Sequence, residues 1–148
     1  MKKKLQIPAP YRQTPVPAHR SREEIERILL DYGADGVAWQ SLRTQQGAAM
    51  VLRFRKDDRV YRFQVDLGAD ARDERQRLRA LRHYLKTMME QAVFGILKME
   101  DVFLAFSEIA LPNGATTTVS ELVQGQLASH QVPDLVAGLR ALPARTGQ

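Results

Sequence analysis

The sequence predicts a single α+β domain with an N-terminal helix, a three-stranded antiparallel meander, a long amphipathic helix and shorter C-terminal helices. Two observations support this fold class. Apolar side chains recur every three or four residues over positions 70–97, as they do along one side of a helix. Polar and apolar residues alternate on both sides of Asp57-Asp58, as they do in a β-hairpin. A chain of 148 residues is long enough to bury one hydrophobic core.

The chain begins with a basic, proline-rich stretch over residues 1–20. Its four prolines prevent helix formation and favour an extended backbone. We expect an arm that follows a phosphate backbone, lies across the domain's own surface or is partly disordered. Residues 21–142 are predicted to form the single domain, and residues 143–148 a loose tail.

The first helix is predicted to begin at Ser21, because Ser21 and Glu24 have the spacing of a capping box. Gly33 suits the left-handed position that ends many helices. The apolar side of this helix consists of residues at helical spacing: Ile25, Ile28, Leu29 and Tyr32.

The meander is predicted to contain strands over residues 36–42, 50–55 and 60–67. With Asp57-Asp58 as the turn, the register places six apolar side chains on one face, which must be the buried one. These are Met50, Leu52, Phe54, Tyr61, Phe63 and Val65.

Arginines dominate the opposite, outer face of the predicted hairpin: Arg53, Arg55 and Arg62, with Arg59 at the turn. The register places Arg53 directly opposite Arg62, and like charges across a strand pair are unfavourable. Nucleic-acid phosphate would explain this arrangement. Carboxylates from another segment, or arginines that extend into water, would explain it equally well.

Trp39 lies in the first predicted strand, and its role depends on the face that it occupies. On the outer face, it would be a stacking platform for an unpaired base. On the inner face with Phe54 and Phe63, it would belong to the core, which is the more common position for a single tryptophan.

The predicted helix over residues 70–97 carries two parallel stripes. The apolar stripe, which we expect to face the core, consists of Leu78, Leu81, Leu85, Met88, Ala92 and Ile96. The basic stripe, which we expect to be a solvated positive edge, consists of Arg72, Arg75, Arg79, Arg82 and Lys86.

The C-terminal third is predicted to contain a short helix over residues 99–106, a minor hairpin around Pro112-Asn113-Gly114, and a helix capped by Thr118 and Glu121. The segment that follows is apolar enough to dock on the domain or on a second subunit. Its apolar residues are Leu135, Val136, Leu139 and Leu142.

The sequence contains no catalytic motif. It lacks phosphate-binding glycine loops and has no cysteine, and its three histidines (His19, His83 and His130) lack carboxylates at ligand spacing. We therefore expect no metal and no cofactor. The element order resembles that of restriction-type nucleases, but their Glu-x-Lys pattern is missing, so we expect a protein that is not an enzyme and keep a nuclease as the minor alternative.

The net charge of +5 favours anionic partners, among which nucleic acid is the most common, although it also fits plain solubility. Neither a signal peptide nor a run of about 18 apolar residues is present. We expect a cytoplasmic protein without a membrane contact.

Two parts of the chain resemble a known group of sequences. Residues 11–34 begin with Tyr11-Arg12-Gln13-Thr14 and end with Asp31-Tyr32-Gly33-Ala34, and residues 74–96 are followed by Leu111-Pro112-Asn113-Gly114. This pattern resembles small uncharacterised proteins of bacteriophages and integrated mobile elements. The resemblance implies a phage or prophage gene in a bacterial cytoplasm and implies no activity.

Together, these features predict a non-enzymatic nucleic-acid-binding accessory protein of a phage or mobile element, active in replication or recombination. Single-stranded DNA is the expected ligand if Trp39 is exposed. The alternative is an interaction module that binds a host or phage protein. The predicted phosphate-binding residues are Arg53, Arg55, Arg59, Arg62, Arg75, Arg79, Arg82 and Lys86.

Overall fold

The structure, a computed structural model, describes residues 9–129 and has the predicted α+β architecture. Its α-helices are α1 (Ala18–Asp31), α2 (Ala71–Val93), α3 (Met99–Val102) and α4 (Val119–Ala128). Its strands are β1 (Gly36–Thr44), β2 (Gly47–Lys56), β3 (Arg59–Gly68), β4 (Glu108–Ala110) and β5 (Thr116–Thr118). A 3₁₀ turn at Leu104–Phe106 separates α3 from β4.

Strands β1, β2 and β3 form an antiparallel meander in that order, and the predicted register is confirmed. Arg53 pairs with Arg62, and Phe54 pairs with Tyr61. Asp57 and Asp58 make the turn with φ values of 52° and 63°. Aspartate is among the residues that tolerate this left-handed conformation, which two-residue hairpin turns require.

The core lies between the inner face of this sheet and helices α1 and α2. Phe103, which follows α3, is fully buried against the aromatic rings of the hairpin, with its ring centroid 6.0 Å from that of Phe54. The buried residues of the main cluster are Ile25, Leu29, Ala34, Leu52, Phe54, Tyr61, Phe63, Leu85, Met89 and Phe103. The predicted inner face of the hairpin is therefore the buried face.

Helix α1 begins earlier than the sequence predicts. Its N-cap is Pro17, which makes no side-chain cap, and Ser21 lies fully buried inside the helix. The predicted capping box of Ser21 and Glu24 is therefore wrong, because Ser21 packs against α2 and Glu24 binds cations of α2 instead. The end of the helix is as predicted, with Gly33 at a φ of 100°.

Helix α2 begins as predicted but ends before position 97. Asp70 caps it by accepting a hydrogen bond from the Asp73 backbone N–H at 2.9 Å. The helix ends at Val93, and Gly95 follows with a φ of 74°. The assignment of Ile96 to the buried stripe is wrong, because Ile96 lies beyond the helix and 67% of its surface is exposed.

The C-terminal part confirms the minor hairpin of β4 and β5. Thr118 caps α4 by accepting a hydrogen bond from the backbone N–H of Glu121. The predicted helix over residues 99–106 is interrupted at Phe103, where α3 ends and the 3₁₀ turn begins. Ser107 forms an antiparallel bridge with Tyr61, which places the start of β4 beside β3.

The part of the predicted arm over residues 9–17 lies on α2. The side-chain amide of Gln76 donates to the Pro10 carbonyl at 2.9 Å, and the ring of Tyr11 stacks on that of His83. Residues 1–8 and 130–148 lie outside the described residues, and with them the predicted apolar docking segment and the loose tail. Within the described range, no helix has the length and apolar character needed to cross a membrane.

Candidate functional site

The predicted phosphate-binding residues lie on two separate surfaces. Arg53, Arg55 and Arg62 are on the outer face of the sheet, and Arg59 begins β3 beside the hairpin turn. The residues predicted on the long helix all belong to α2: Arg75, Arg79, Arg82 and Lys86. The structure brings members of each set together, and the two sets bind different carboxylates.

On the sheet, Arg53 and Arg62 share a carboxylate from β4. The Nε and Nη2 atoms of Arg53 donate to the two oxygens of Glu108 at 2.7 and 2.8 Å, which is a bidentate pair. Arg62 lies 4.0 Å from the same carboxylate and donates to Glu121 of α4 at 3.4 Å. We call these four residues the sheet cluster; it holds two arginines and two carboxylates, so it is formally neutral.

Glu108 is the least accessible residue of the sheet cluster, with 8% of its side chain exposed. Its hydrogen bond to Arg53 raises the pKa of that guanidinium, which burial alone would lower. The like-charge contact between Arg53 and Arg62 is thus explained by carboxylates from another segment, one of the alternatives that the sequence left open.

The two remaining sheet residues differ from each other. Arg55 donates to Asp35, just before β1, at 3.0 Å, and both side chains are more than half exposed. Arg59 is exposed and makes no ion pair among residues 9–129. Because Arg59 is in register with Tyr61 of the inner face, it does not extend the outer arginines, and the outer sheet face has no continuous basic surface within the described part of the chain.

On the helices, three arginines surround one carboxylate. Arg79 Nη1 donates to Glu24 of α1 at 2.6 Å, Arg82 Nε lies 3.1 Å from the same oxygen, and Arg20 contacts the other oxygen at 3.4 Å. The Arg82 Nε atom is buried and lies outside hydrogen-bond angles, so this contact is an ion pair only. We call Arg20, Glu24, Arg79 and Arg82 the helix cluster; it has two more cations than carboxylates.

The charge excess of the helix cluster changes the pKa of the groups around it. Burial would raise the pKa of Glu24, but the Arg79 hydrogen bond and the charges of Arg79 and Arg82 outweigh it, so the pKa is lowered. Burial, followed by the charges of Arg82, Arg79 and Lys86, lowers the pKa of His83. The lowered pKa of Glu24 is typical of a positive local potential, whereas burial is the largest cause of the lowered pKa of His83 and the nearby cations add to it.

The basic stripe continues on both sides of the helix cluster. Lys86 is exposed and has one partner, Glu90 of the same helix, at 3.7 Å. Arg75 makes no ion pair with any described residue. The predicted solvated edge is therefore partly an interhelical contact, because the side chains of Arg79 and Arg82 are only 15% and 19% exposed.

Trp39 does not belong to either arginine surface. It pairs with Leu52, which pairs with Phe63, and so lies on the inner face of the sheet. Its indole Nε1 donates to Glu26 of α1 at 2.8 Å. The stacking role required an outer position for Trp39, and the register excludes it.

Tyr11 is an aromatic residue next to the helix cluster, and the sequence alone does not predict a role for it. Its ring is parallel to that of His83, with an interplanar angle of 5° and a centroid distance of 4.7 Å. The only signal in the sequence is an aromatic residue within a basic arm, since the contact with His83 depends on how the arm lies on α2.

Exposed apolar side chains form a second unusual surface just after α2. Val93, Phe94, Ile96 and Leu97, which we call the apolar patch, are between 46% and 71% exposed. A cleft of about 150 Å³ begins at Val93 and is lined by Tyr32, Lys56, Met89, Ala92, Val93 and Met99. Apolar patches on a monomer are often contact sites for other molecules.

The charge of the chain is distributed unevenly. Residues 9–129 contain 17 basic and 16 acidic side chains, so this part is close to neutral. Most of the net charge of +5 comes from residues outside that range, including Lys2, Lys3 and Lys4. Local excess charge, as in the helix cluster, is therefore a better guide to an anion-binding surface than net charge.

Among the described residues, no three His, Asp or Glu side chains are grouped as metal ligands would be. No protein-family model matches the chain, and no curated protein or solved structure matches it either.

Proposed function

We propose that this protein is a non-enzymatic nucleic-acid-binding accessory protein that binds phosphates through the helix cluster and its basic flanks. The resemblance to phage and mobile-element proteins supports only the setting, a phage or prophage gene in a bacterial cytoplasm, and we propose replication or recombination as the context of the binding. The observation that carries the proposal is the ratio of three arginines to one carboxylate in the helix cluster.

Hydrogen-bond capacity favours the helix cluster over the sheet cluster. Each guanidinium has five N–H donors, so one carboxylate leaves most donors of three arginines unpaired. Arg53, by contrast, already directs two parallel donors at Glu108, which is the geometry that a phosphate would take. A phosphate can therefore bind to the helix cluster without displacing a carboxylate, whereas it would have to displace Glu108 from the sheet cluster.

Displacement at the sheet would be costly. Glu108 is almost inaccessible to solvent, so losing Arg53 would leave a nearly buried charge unpaired. For fully buried pairs, this costs about 3–5 kcal/mol, more than one phosphate contact returns. Exposed pairs such as Lys86 with Glu90 contribute only about 0.3–0.5 kcal/mol, so a phosphate can replace the glutamate there.

The experiment is a fluorescence-anisotropy titration of labelled single-stranded and duplex oligonucleotides at low and near-physiological salt. We expect the wild-type chain to bind and to weaken steeply as salt rises, because phosphate contacts release counterions. A helix triple variant, with Arg20→Gln, Arg75→Gln and Lys86→Gln, should bind roughly tenfold more weakly at low salt.

A sheet triple variant is the matched control. It removes the same number of charges from exposed positions of the meander: Arg43→Gln, Arg55→Gln and Arg59→Gln. We expect its affinity to stay within about twofold of the wild type. Equal weakening of both variants, or no binding by the wild type at low salt, would overturn the proposal.

A second candidate function, a protein-interaction module, is supported by the apolar patch. The occupant that the patch fits best is a second copy of this chain, because a two-fold contact places one apolar patch on another. Sedimentation velocity should then show a salt-insensitive dimer that Phe94→Ser disrupts. A monomer at every concentration would contradict this candidate.

A further inference from the structure

Tyr11 presents an aromatic ring at the edge of the helix cluster. His83 covers one ring face from α2, and 39% of the tyrosine surface stays exposed. Because His83 covers one face, a base that stacks on this ring would have to use the opposite face.

The chain holds Tyr11 in this position by three independent contacts. Gln76 donates to the Pro10 carbonyl at 2.9 Å, the Tyr11 carbonyl accepts from the Thr14 backbone N–H at 3.2 Å, and the ring stacks on His83. The φ of Tyr11 is 59°, a left-handed conformation that costs a tyrosine roughly 1 kcal/mol. A strained residue persists only where its surroundings fix it, so the ring is preorganised.

Cations lie next to His83, the residue on which this ring stacks. Arg82 Nη1 lies 3.5 Å from Nδ1 of His83, and Arg79 is one helical turn earlier on α2. The combination of an exposed, fixed aromatic ring with neighbouring guanidiniums is the arrangement by which proteins bind unpaired nucleotides: the ring stacks on the base while the cations contact the phosphates.

We infer that Tyr11 is a stacking platform for an unpaired base, so that the ligand of the helix cluster is single-stranded nucleic acid. This inference rests on the proposed nucleic-acid function and specifies its substrate class. In a duplex, each base is already stacked on its neighbours and offers no free face to a side chain. Tyr11 thus has the stacking role that an outer position would have given to Trp39.

The test compares two labelled probes of equal length, an oligothymidylate and its abasic analogue, which has the same phosphates without bases. The wild-type chain should prefer the oligothymidylate. The Tyr11→Ala variant should bind oligothymidylate about 5- to 150-fold more weakly, the range for losing one stacked base. It should bind the abasic probe and a duplex as the wild type does.

Tyr11→Phe is the matched control, since it keeps the ring and removes the hydroxyl. It should retain the wild-type preference for oligothymidylate. Trp39 fluorescence reports whether each variant is folded, because Trp39 lies on the inner face of the sheet. Tyr11 is partly exposed and outside the buried core, so its replacement should leave that signal unchanged.

The outcomes separate the two proposals. If the wild-type chain binds neither probe at low salt, the nucleic-acid function itself is wrong. If it binds both probes equally, or if Tyr11→Ala keeps the preference for bases, the phosphate surface stands and the stacking platform is wrong.

Discussion

The sheet cluster and the helix cluster both bring arginines side by side, but they differ in how many carboxylates reach them. In the sheet cluster, Glu108 and Glu121 neutralise two arginines. In the helix cluster, Glu24 alone faces three. The comparison shows that a row of arginines in a sequence is not a binding surface until its acidic partners are known.

The two clusters also differ in what brings their arginines close together. Arg53 and Arg62 are forced together by strand pairing, and a distant segment supplies the compensating charge. Arg79 and Arg82 lie one helical turn apart on α2, and the packing of α1 brings a single glutamate between them. The ion pairs of the sheet cluster therefore mainly stabilise the fold, whereas the helix cluster keeps positive charge that a ligand can use.

The largest expected effect is on the sheet cluster. Glu108→Gln removes the charge shared by Arg53 and Arg62 and leaves two cations opposed. We expect a loss of about 2 kcal/mol in unfolding free energy, less than for a fully buried pair because Arg53 is half exposed. Urea denaturation followed by Trp39 fluorescence measures it.

Glu108→Gln should also change the affinity for oligonucleotides. If the carboxylate is what keeps the sheet arginines from phosphate, Glu108→Gln should bind oligonucleotides more tightly than the wild type at low salt. Unchanged stability together with unchanged binding would show that Glu108 does not control this surface.

A smaller effect is expected for Glu24→Gln in the helix cluster. Since the pKa of Glu24 is lowered in the fold, its ionised form contributes stability above the usual glutamate pKa, and this is lost as pH falls through the folded pKa. We expect the variant to be about 1 kcal/mol less stable at neutral pH. The difference from wild type should disappear in acid, as measured by urea denaturation at several pH values.

If the gap between wild type and Glu24→Gln persists at the lowest pH, Glu24 acts through packing rather than through its charge. The histidine next to the cluster acts in the same direction, because its lowered pKa means that protonation of His83 also disfavours the fold in acid. His83→Gln in the Glu24→Gln background separates the two contributions.

The smallest effect is expected at the exposed edge of the stripe. Lys86→Gln removes only the contact with Glu90, so stability should change by about 0.5 kcal/mol or less. Its affinity for oligonucleotides should nevertheless fall at low salt. Thermal denaturation measures the stability, and fluorescence anisotropy on the same sample measures the affinity. A stability loss as large as that of Glu108→Gln would mean that Lys86 is structural.

The sequence contained enough information for the fold class and the hairpin register. Alternation has a period of two, so a turn at Asp57-Asp58 leaves one arrangement that buries Phe54 and Phe63 together. Helical periodicity located α2 in the same way, although it did not show that Gly95 ends the apolar stripe before Ile96. Both signals are local, because they depend only on residues that are close together in the sequence.

The candidate site could be predicted only in part, because whether an arginine is free to bind a ligand depends on carboxylates that are distant in the sequence. Nothing near Arg53 in sequence indicates Glu108, and nothing near Arg79 indicates Glu24. Trp39 and Tyr11 illustrate the same limit: the face of the first follows from strand pairing, and the position of the second from the docking of residues 9–17 on α2.

The most direct test of the difference between the clusters follows the arginine side chains themselves. A short oligothymidylate would be titrated into the ¹⁵N-labelled chain at low salt while the Nε–Hε signals of arginines are recorded by NMR. If the helix cluster binds the ligand, Arg20, Arg79 and Arg82 should show saturable shifts while Arg53 and Arg62 stay unchanged. Shifts confined to Arg53 and Arg62 would place the ligand on the sheet and rule out the helix cluster as the binding surface.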